Sequence, residues 1–219
     1  MKRKKLKLVK KAATKNGKAQ KAKLNARRRD DQLNRSELLE EIQRLRGRVK
    51  EMQTELLIDD LTGLYNARYL KQRIERSLLL MRENKQSPAL LFIDVDYFKS
   101  INELHGHQTG GEMLNQVGRV ISRVIRVDDI AFRYGGDEFV VLVNGGMDGG
   151  RAVGERIRQS VEAAEFQVNG IHGQAVVKLT VSVGLRVIRA EDTARTILDE
   201  ADKAMFEAKR NARNSLVAA

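Results

Sequence analysis

The chain has 219 residues, of which 42% are apolar, and it contains no cysteine. This length suits one globular domain plus a smaller segment, and the lack of thiols excludes disulfides, zinc-thiolate sites and a cysteine nucleophile. No apolar run approaches the roughly eighteen residues that cross a bilayer, and the Lys-rich start lacks the apolar segment of a secretory signal. We therefore expect a cytoplasmic protein.

Residues 1–30 carry most of the positive charge. The net charge is +12, and 14 Lys and Arg residues precede the first acid, Asp30, so residues 30–219 carry −2, the difference between these values. Self-repulsion and the lack of a periodic apolar face predict a basic, disordered tail. Two interpretations stay open, a solvated tail without a partner and an electrostatic anchor for nucleic acid or an anionic membrane.

Residues 31–58 show a heptad pattern. Apolar residues alternate at spacings of four and three, and these are Leu38, Ile42, Leu45, Val49, Met52 and Leu56. With Ile42, Val49 and Leu56 at position a and mainly Leu at d, the pattern favours a parallel two-stranded coiled coil. The alternative is a single amphipathic helix that packs on its own domain. We predict a coiled-coil dimerisation helix over this segment.

Residues 59–219 mix helix and strand patterns. We predict helices over 66–85, 97–104, 109–126, 148–164 and 193–211, a strand over 89–95, a hairpin over 130–143 and further strands within 166–187. The continuous apolar run at 89–93 is typical of a central strand buried on both faces. The expected fold class is α/β, an α+β sandwich in which helices pack on a mixed central sheet.

Two acidic segments in this region suggest chemistry. Residues 94–96 (Asp-Val-Asp) end the buried strand, and residues 135–138 (Gly-Gly-Asp-Glu) join two apolar strands. Each has a purely structural interpretation, as a polar strand end or as a tight turn that glycine permits. Together, the two segments could offer carboxylates to one hard cation. Mg²⁺ held by a few carboxylates and phosphate oxygens supports phosphoryl transfer.

Six motifs in order resemble those of GGDEF domains, a family of diguanylate cyclases related in fold to adenylyl cyclases and to the palm of polymerases. The motifs are 59–66 (DDLTGLYN), 92–102 (FIDVDYFKSIN), 106–110 (GHQTG), 133–139 (RYGGDEF), 182–184 (SVG) and 201–214 (ADKAMFEAKRNARN). The resemblance covers about residues 59–219. It implies the condensation of two GTP molecules into cyclic di-GMP and pyrophosphate.

The resemblance also implies individual roles. Asp137 and Glu138 would be catalytic, one of them as general base toward the ribose 3′-hydroxyl. The implied ligands of Mg²⁺ (or Mn²⁺) are Asp94, the Val95 carbonyl, Asp137 and Glu138. The implied substrate-binding residues are Tyr97, Phe98, Lys99, Asn102, His107, Gly111, Gly135, Gly136, Lys209 and Arg213. Since Lys209 and Arg213 are four positions apart, we expect them to share one face of the last helix.

Assembly and feedback follow from the same resemblance. Each domain would bind one GTP, so a homodimer is implied, and a coiled coil would raise the local concentration of the second domain. Arg126 and Asp129 match the Arg-x-x-Asp site at which cyclic di-GMP would act as feedback inhibitor. A surface salt bridge is the structural alternative for this pair.

One position departs from the family pattern. Gly111 stands where the family commonly has an Asp that accepts hydrogen bonds from guanine. Losing such a contact is worth roughly 1.5–3 kcal/mol, about ten- to a hundredfold in selectivity. The alternatives are therefore a promiscuous cyclase that also uses ATP and makes cyclic GMP-AMP, a catalytically silent cyclic-di-GMP receptor, and a scaffold whose tail binds nucleic acid. The intact Asp94 and the intact segment 135–138, with its two glycines and two acids, argue against the last two.

Overall fold

The computed structural model describes residues 38–45, 47–48, 57–84, 87–170 and 173–219. The chain divides into two units, Met1–Leu56 and Leu57–Ala219. In the first unit, residues 38–45 and 47–48 are helical, and the heptad residues Leu38, Ile42 and Leu45 are exposed. The rest of the predicted heptad row and the basic tail lie outside the described residues, so the coiled coil stays a prediction.

The second unit contains eight strands and five helices among its described residues. In chain order they are β1 (Tyr65–Asn66), α1 (Ala67–Asn84), β2 (Ala89–Val95), α2 (Phe98–His105), α3 (His107–Val124), β3 (Ile130–Gly135), β4 (Glu138–Val143), α4 (Gly146–Ala163), β5 (Phe166–Gly170), β6 (Gly173–Val177), β7 (Val181–Val187), α5 (Ala194–Asn211) and β8 (Leu216–Ala218).

The central sheet is mixed. Six strands lie in the order β1-β3-β4-β2-β7-β8, and β5 and β6 form a separate hairpin. Strand β2 runs antiparallel to both β4 and β7, whereas the outer pairs β1–β3 and β7–β8 are parallel. Helices cover both faces of this sheet, so the predicted fold class, an α/β sandwich on a mixed sheet, is confirmed.

Strand β2 is the centre of the core. All seven of its residues are buried, as its unbroken apolar run predicts for a strand covered on both faces. Leu91 and Ile93 pack on the side of α3 and α4, while Leu90 and Phe92 pack on the side of α1 and α5. Because side chains alternate along a strand, Asp94 points to the same side as Leu90 and Phe92.

A glycine allows α5 to approach the sheet closely. A Cβ atom on Gly184 of β7 would lie 2.0 Å from the carbonyl oxygen of Ala201 and 2.4 Å from the amide nitrogen of Met205. Since those atoms belong to the helix backbone, no side chain could be accommodated there. The close approach brings the last turns of α5 over the end of β2, where the Asp94 carboxylate lies.

Three features differ from the sequence-based prediction. Strands β1 and β8, of two and three residues, were not predicted. Helix α5 ends at Asn211, so Arg213 follows the helix, and the expectation that it shares a helix face with Lys209 is wrong.

Within the described part of the chain, no helix combines the length and the apolar character needed to span a membrane.

Candidate active site

Three carboxylates meet where β2 ends beside the β3–β4 hairpin. Asp94 is paired in register with Glu138, the first residue of β4. Gly136 adopts a φ of 48°, which glycine tolerates without strain, and so closes the hairpin through Asp137. The Asp137 carbonyl accepts a hydrogen bond from the Val95 amide at 3.3 Å. The two acidic segments of the sequence are therefore neighbours in space.

Burial and mutual repulsion shape the electrostatics of this cluster. Asp94 is only 6% exposed, and burial together with the charge of Asp137 raises its pKa to about 6, although Lys209 acts in the opposite direction. The Lys209 Nζ lies 2.5 Å from Asp94 Oδ1. Burial also raises the pKa of Glu138, and the charges of Asp94, Asp137 and Asp202 add to the effect. The cluster thus concentrates negative charge that one lysine only partly offsets.

These acids suit a divalent cation that arrives with a nucleotide. Among the described residues, no three acidic or histidine side chains already form a cage for a metal ion. Mg²⁺ commonly binds through one or two carboxylates plus substrate phosphates. A pair of repelling carboxylates beside a basic surface matches that requirement. Asp94, Asp137 and Glu138 therefore fit the carboxylate part of the predicted ligand set.

The N-terminus of α2 offers donors to an anion. Tyr97 precedes the helix in the left-handed conformation, and no side chain caps the helix start. The first amides of a helix lack partners within the helix and attract anionic groups. Lys99 extends from the first turn with 91% of its side chain exposed, and its Nζ lies 3.8 Å from the Glu103 carboxylate. The start of α2 therefore offers uncapped amides to an anion, and phosphate binding by residues 97–99 stays a prediction.

Arg213 reaches the same turn, although it lies outside the helix. Its Nη1 donates to the Tyr97 hydroxyl at 3.3 Å, and its guanidinium carbon lies 4.5 Å from the centroid of the Tyr97 ring. Such a stack orients a guanidinium. The structure therefore brings Arg213 to the α2 turn by a cation–π contact instead of the predicted helical spacing.

Asp96 has a role that the sequence reasoning missed. It is 2% exposed. Its carboxylate accepts hydrogen bonds from the Thr180 hydroxyl at 2.6 Å, the Ser182 hydroxyl at 2.7 Å and the backbone amide of Asn214 at 3.0 Å. A carboxylate with these three donors is structural. It ties the end of β2 to β7 and to the segment after α5.

An ion pair fixes the hairpin turn from the other side. Arg133 Nη1 donates to both carboxylate oxygens of Asp59, at 3.1 and 3.2 Å, while Nε and Nη2 donate to the Gly136 carbonyl at 3.2 and 2.9 Å. Both side chains are mostly buried. The arginine thus links the segment before β1 to the turn that carries Asp137. The motifs at 59–66 and 133–139 contained these residues, but no spacing rule in the sequence pairs them.

The predicted base-binding residues lie around the α2–α3 corner. A Cβ on Gly110 would lie 1.8 Å from Asn102 Oδ1, whereas a Cβ on Gly111 would meet only Leu61 Cδ1, at 3.5 Å. The Asn102 Oδ1 is buried and accepts no hydrogen bond from the described residues. His107 and Gly111 both line an open groove of about 930 Å³. A planar ligand could enter beside Gly111, where the usual carboxylate is missing.

The predicted feedback pair forms a tight turn before β3. Arg126 is exposed, and its amide donates to Asp129 Oδ2 at 2.9 Å. Asp129 is 6% exposed, and its Oδ1 accepts from the Asn144 amide at 3.3 Å. The salt bridge considered as the alternative does not occur in the structure. Asp129 organises the turn, which leaves the Arg126 side chain exposed for an anionic ligand.

Comparisons with known proteins agree with this architecture. The family model "Diguanylate cyclase, GGDEF domain" matches residues 56–215. Diguanylate cyclase A of Treponema denticola is 38% identical over 60% of the chain, and the response regulator PleD of Caulobacter vibrioides is 34% identical over 73%. The chain spans 35% of the length of each of these two relatives.

Solved structures show the same fold. The coiled coil and GGDEF domain of DgcB from Caulobacter crescentus, solved in complex with c-di-GMP, has a TM-score of 0.76 and 27% identity, covering 84% of this chain and 96% of that one. The diguanylate cyclase SiaD from Pseudomonas aeruginosa, solved with its activator SiaC, has a TM-score of 0.70 and 29% identity, covering 97% and 83%. With the family model matched from residue 56 to residue 215, the chain belongs to the GGDEF-domain family of diguanylate cyclases.

Proposed function

We propose that this protein is a diguanylate cyclase that condenses two GTP molecules into cyclic di-GMP and pyrophosphate. The observation that carries this proposal is the pairing of Asp94 with Glu138 across adjacent strands, with Lys209 at 2.5 Å from Asp94. Carboxylates that can bind a cation thus lie beside a positively charged side chain that can bind phosphate. Phosphoryl transfer depends mainly on such positioning and charge stabilisation.

The described residues divide into three roles. Lys99, Lys209 and Arg213, with the first amides of α2, bind and orient the triphosphate. Asp94, Asp137, Glu138 and the Val95 carbonyl hold Mg²⁺ (or Mn²⁺), which when bound lowers the pKa of the attacking hydroxyl and stabilises the leaving pyrophosphate. Asp137 or Glu138 accepts the proton of the ribose 3′-hydroxyl as general base, and burial together with the neighbouring acids raises the pKa of Glu138.

The reaction requires two copies of the domain. Each site binds one nucleotide, and the 3′-hydroxyl of one must approach the α-phosphate of the other for in-line attack. Asp94 is buried at the end of β2, whereas Asp137 and Glu138 are partly exposed, and a second domain would have to face them. A homodimer, held by the predicted coiled coil, is therefore part of the proposal.

Product identification tests the activity. Purified full-length protein would be incubated with Mg²⁺ and GTP, with ATP, or with both, and the products identified by mass spectrometry. We expect cyclic di-GMP from GTP alone. If no mixture yields a cyclic dinucleotide, the enzyme proposal fails, and binding of cyclic di-GMP alone would favour the silent receptor.

A second candidate function rests on Gly111. The groove beside it is open, with only Leu61 Cδ1 within 4 Å of the position that a Cβ would take. Without a carboxylate there, guanine loses an acceptor for its N1–H and amino group, and adenine is rejected less firmly. The proposal is that the enzyme also accepts ATP and makes some cyclic GMP-AMP.

Substitution of Gly111 by aspartate measures this selectivity. We expect the preference for GTP over ATP, as the ratio of kcat/KM values, to rise by about ten- to a hundredfold, the worth of one charge-assisted contact. Gly111→Ala is the matched control, because it adds the Cβ without the carboxylate. An equal rise in both variants would show that helix or groove shape, and not the carboxylate, sets the selectivity.

Arg133 is expected to position the catalytic turn. Arg133→Met removes both the Asp59 ion pair and the bonds to the Gly136 carbonyl. Displacement of Asp137 and Glu138 by a fraction of an ångström should lower the cyclase rate by between about 10- and 100-fold. Arg133→Lys keeps the positive charge but cannot bind Asp59 and the Gly136 carbonyl at the same time. Its rate should therefore lie between those of the wild type and Arg133→Met. Equal rates in Arg133→Met and the wild type would exclude a positioning role.

The remaining parts of the proposal concern regulation and location. Exposed Arg126, on the turn that Asp129 organises, is proposed to bind cyclic di-GMP as feedback inhibitor through two parallel hydrogen bonds from its guanidinium.

The basic tail is proposed to bind nucleic acid or an anionic membrane. The proposed compartment is the cytoplasm. Deletion of residues 1–30, followed by salt-dependent binding to DNA and to anionic vesicles, distinguishes the two tail partners.

A further inference from the structure

Backbone strain concentrates at one place in the described part of the chain. There, the residues other than glycine with positive φ are Tyr97 (57°), Arg213 (55°) and Asn214 (43°). They lie together, since Arg213 stacks on the Tyr97 ring and Asn214 follows directly in the chain. The left-handed conformation is unfavourable for residues with a Cβ, and it persists only where surrounding contacts hold it.

Asp96 connects the two strained segments. It directly precedes Tyr97, and its Oδ2 accepts the backbone amide of Asn214 at 3.0 Å. The hydroxyls of Thr180 and Ser182 hold the same carboxylate in place. The start of α2 and the segment after α5 are therefore fixed relative to one another by a single buried acid.

The Asn214 side chain is held by α4. Its Nδ2 donates to Glu162 Oε1 at 2.7 Å, and its Oδ1 accepts from Arg158 Nη1 at 2.9 Å. The same Nη1 donates to Glu162 Oε2 at 3.0 Å, and Arg158 Nε donates to Glu155 at 2.9 Å. The amide thus uses both its donor and its acceptor on a helix that contributes no predicted ligand of the nucleotide.

These contacts hold the residue that directly follows Arg213. The backbone of Asn214 is bound by Asp96 and its side chain by Arg158 and Glu162, so the preceding residue has little freedom to rotate. Arg213 is left facing Tyr97, at the turn where the triphosphate is expected.

We propose that Asn214, held by Arg158 and Glu162, is a positioning residue that sets Arg213 for triphosphate binding. This inference rests on the proposed function, because it assumes that Arg213 contacts the nucleotide. Asn214 itself touches no substrate. Loss of its amide contacts should leave the fold intact while Arg213 samples orientations away from the Tyr97 ring.

The test is a double-mutant cycle on nucleotide affinity. Full-length protein with Mg²⁺ would be titrated with the α,β-methylene analogue of GTP, which cannot be cyclised, and binding followed by calorimetry. Asn214→Gly permits the positive φ and keeps the backbone amide, but it removes the side-chain amide that contacts Arg158 and Glu162. We expect it to weaken binding by about three- to tenfold, typical of coupling within one hydrogen-bonded network. In an Arg213→Ala background, the same change should have no further effect.

Two other variants separate positioning from stability. Arg158→Met keeps the aliphatic stem, removes the contact to Asn214 and should weaken binding as Asn214→Gly does. Thr193→Ala removes the N-cap of α5 at its other end, so it should lower the melting temperature without changing affinity.

Two results would overturn the positioning role. One is wild-type affinity in both Asn214→Gly and Arg158→Met, and the other is an equal loss with and without Arg213. A full-length protein that binds no analogue at all contradicts the proposed function itself, which separates the two failures.

Discussion

Replacement of Asp94 by asparagine is expected to abolish cyclisation and, at the same time, to stabilise the fold at neutral pH. The variant keeps the shape of the side chain but loses a charged ligand of the cation. Such a ligand contributes several kcal/mol of transition-state stabilisation, so the rate should fall by about a thousandfold or more. Stability should change in the opposite direction, because the charge is buried beside other acids.

The pH dependence follows from the pKa of Asp94. Burial raises it from 3.8 to about 6 in the folded protein, so between these values the folded state binds more protons than the unfolded chain. The free energy of unfolding therefore falls as the pH rises through this window, and the full penalty applies above about pH 6. Asparagine avoids a penalty of about 1–3 kcal/mol, a range that already includes the favourable contact with Lys209.

Denaturant unfolding at pH 4 and pH 7.5, together with the cyclase assay, measures both effects. The wild type should lose more stability than Asp94→Asn between the two pH values. Asp199→Asn is the matched control, since Asp199 pairs with Arg195 on the exposed side of α5 and its loss should leave the cyclase rate unchanged. A variant that is less stable than the wild type at pH 7.5, or that still cyclises GTP at a tenth of its rate, contradicts this account.

Removal of residues 1–56 is expected to make cyclase activity strongly dependent on protein concentration. Two domains must meet for each product molecule, and a coiled coil supplies a local concentration in the millimolar range. Without it, nanomolar domains rarely meet. The rate per domain of a shortened chain beginning at Leu57 should fall by about a hundredfold to ten-thousandfold.

The rate per domain would be measured from nanomolar to high micromolar protein. The full-length chain should give a constant value over most of this range, whereas the shortened chain should recover activity as its concentration rises. A chain that lacks only residues 1–30 keeps the heptad row and serves as control, with the rate of the full-length protein. Equal rates per domain in all three chains at nanomolar concentration would exclude dimerisation through residues 31–56.

The sequence predicted the elements that have a long periodic pattern. The apolar run of β2, the hairpin around Gly136 and the helices flanking the sheet follow from spacing and turn chemistry. Strands β1 and β8 are too short to show a period, and only pairing with a neighbouring strand makes them strands. The meeting of Asp94 with Glu138 was expected in outline, because a strand end and a hairpin turn can share one edge of a sheet.

Tertiary contacts decided what the sequence could not. Helical spacing placed Arg213 on the same face of α5 as Lys209, but the helix ends at Asn211. Beyond the helix, the Asp96 carboxylate accepts a hydrogen bond from the backbone amide of Asn214. The sequence pattern at 94–96 carries no information on burial, and the structure shows that Asp94 and Asp96 are both buried. The pairing of Arg133 with Asp59 spans 74 residues, a separation over which no local pattern carries information.

The place of Asp94 on a strand bonded on both sides has a consequence for hydrogen exchange. Strand β2 pairs with β4 and β7 along its length, and helices cover its two faces, so its amides should exchange only when the whole domain unfolds. We therefore expect slowly exchanging backbone to carry the carboxylate. Partial opening of peripheral segments would leave its geometry unchanged, and any regulator would have to act on the approach of nucleotides or of the second domain.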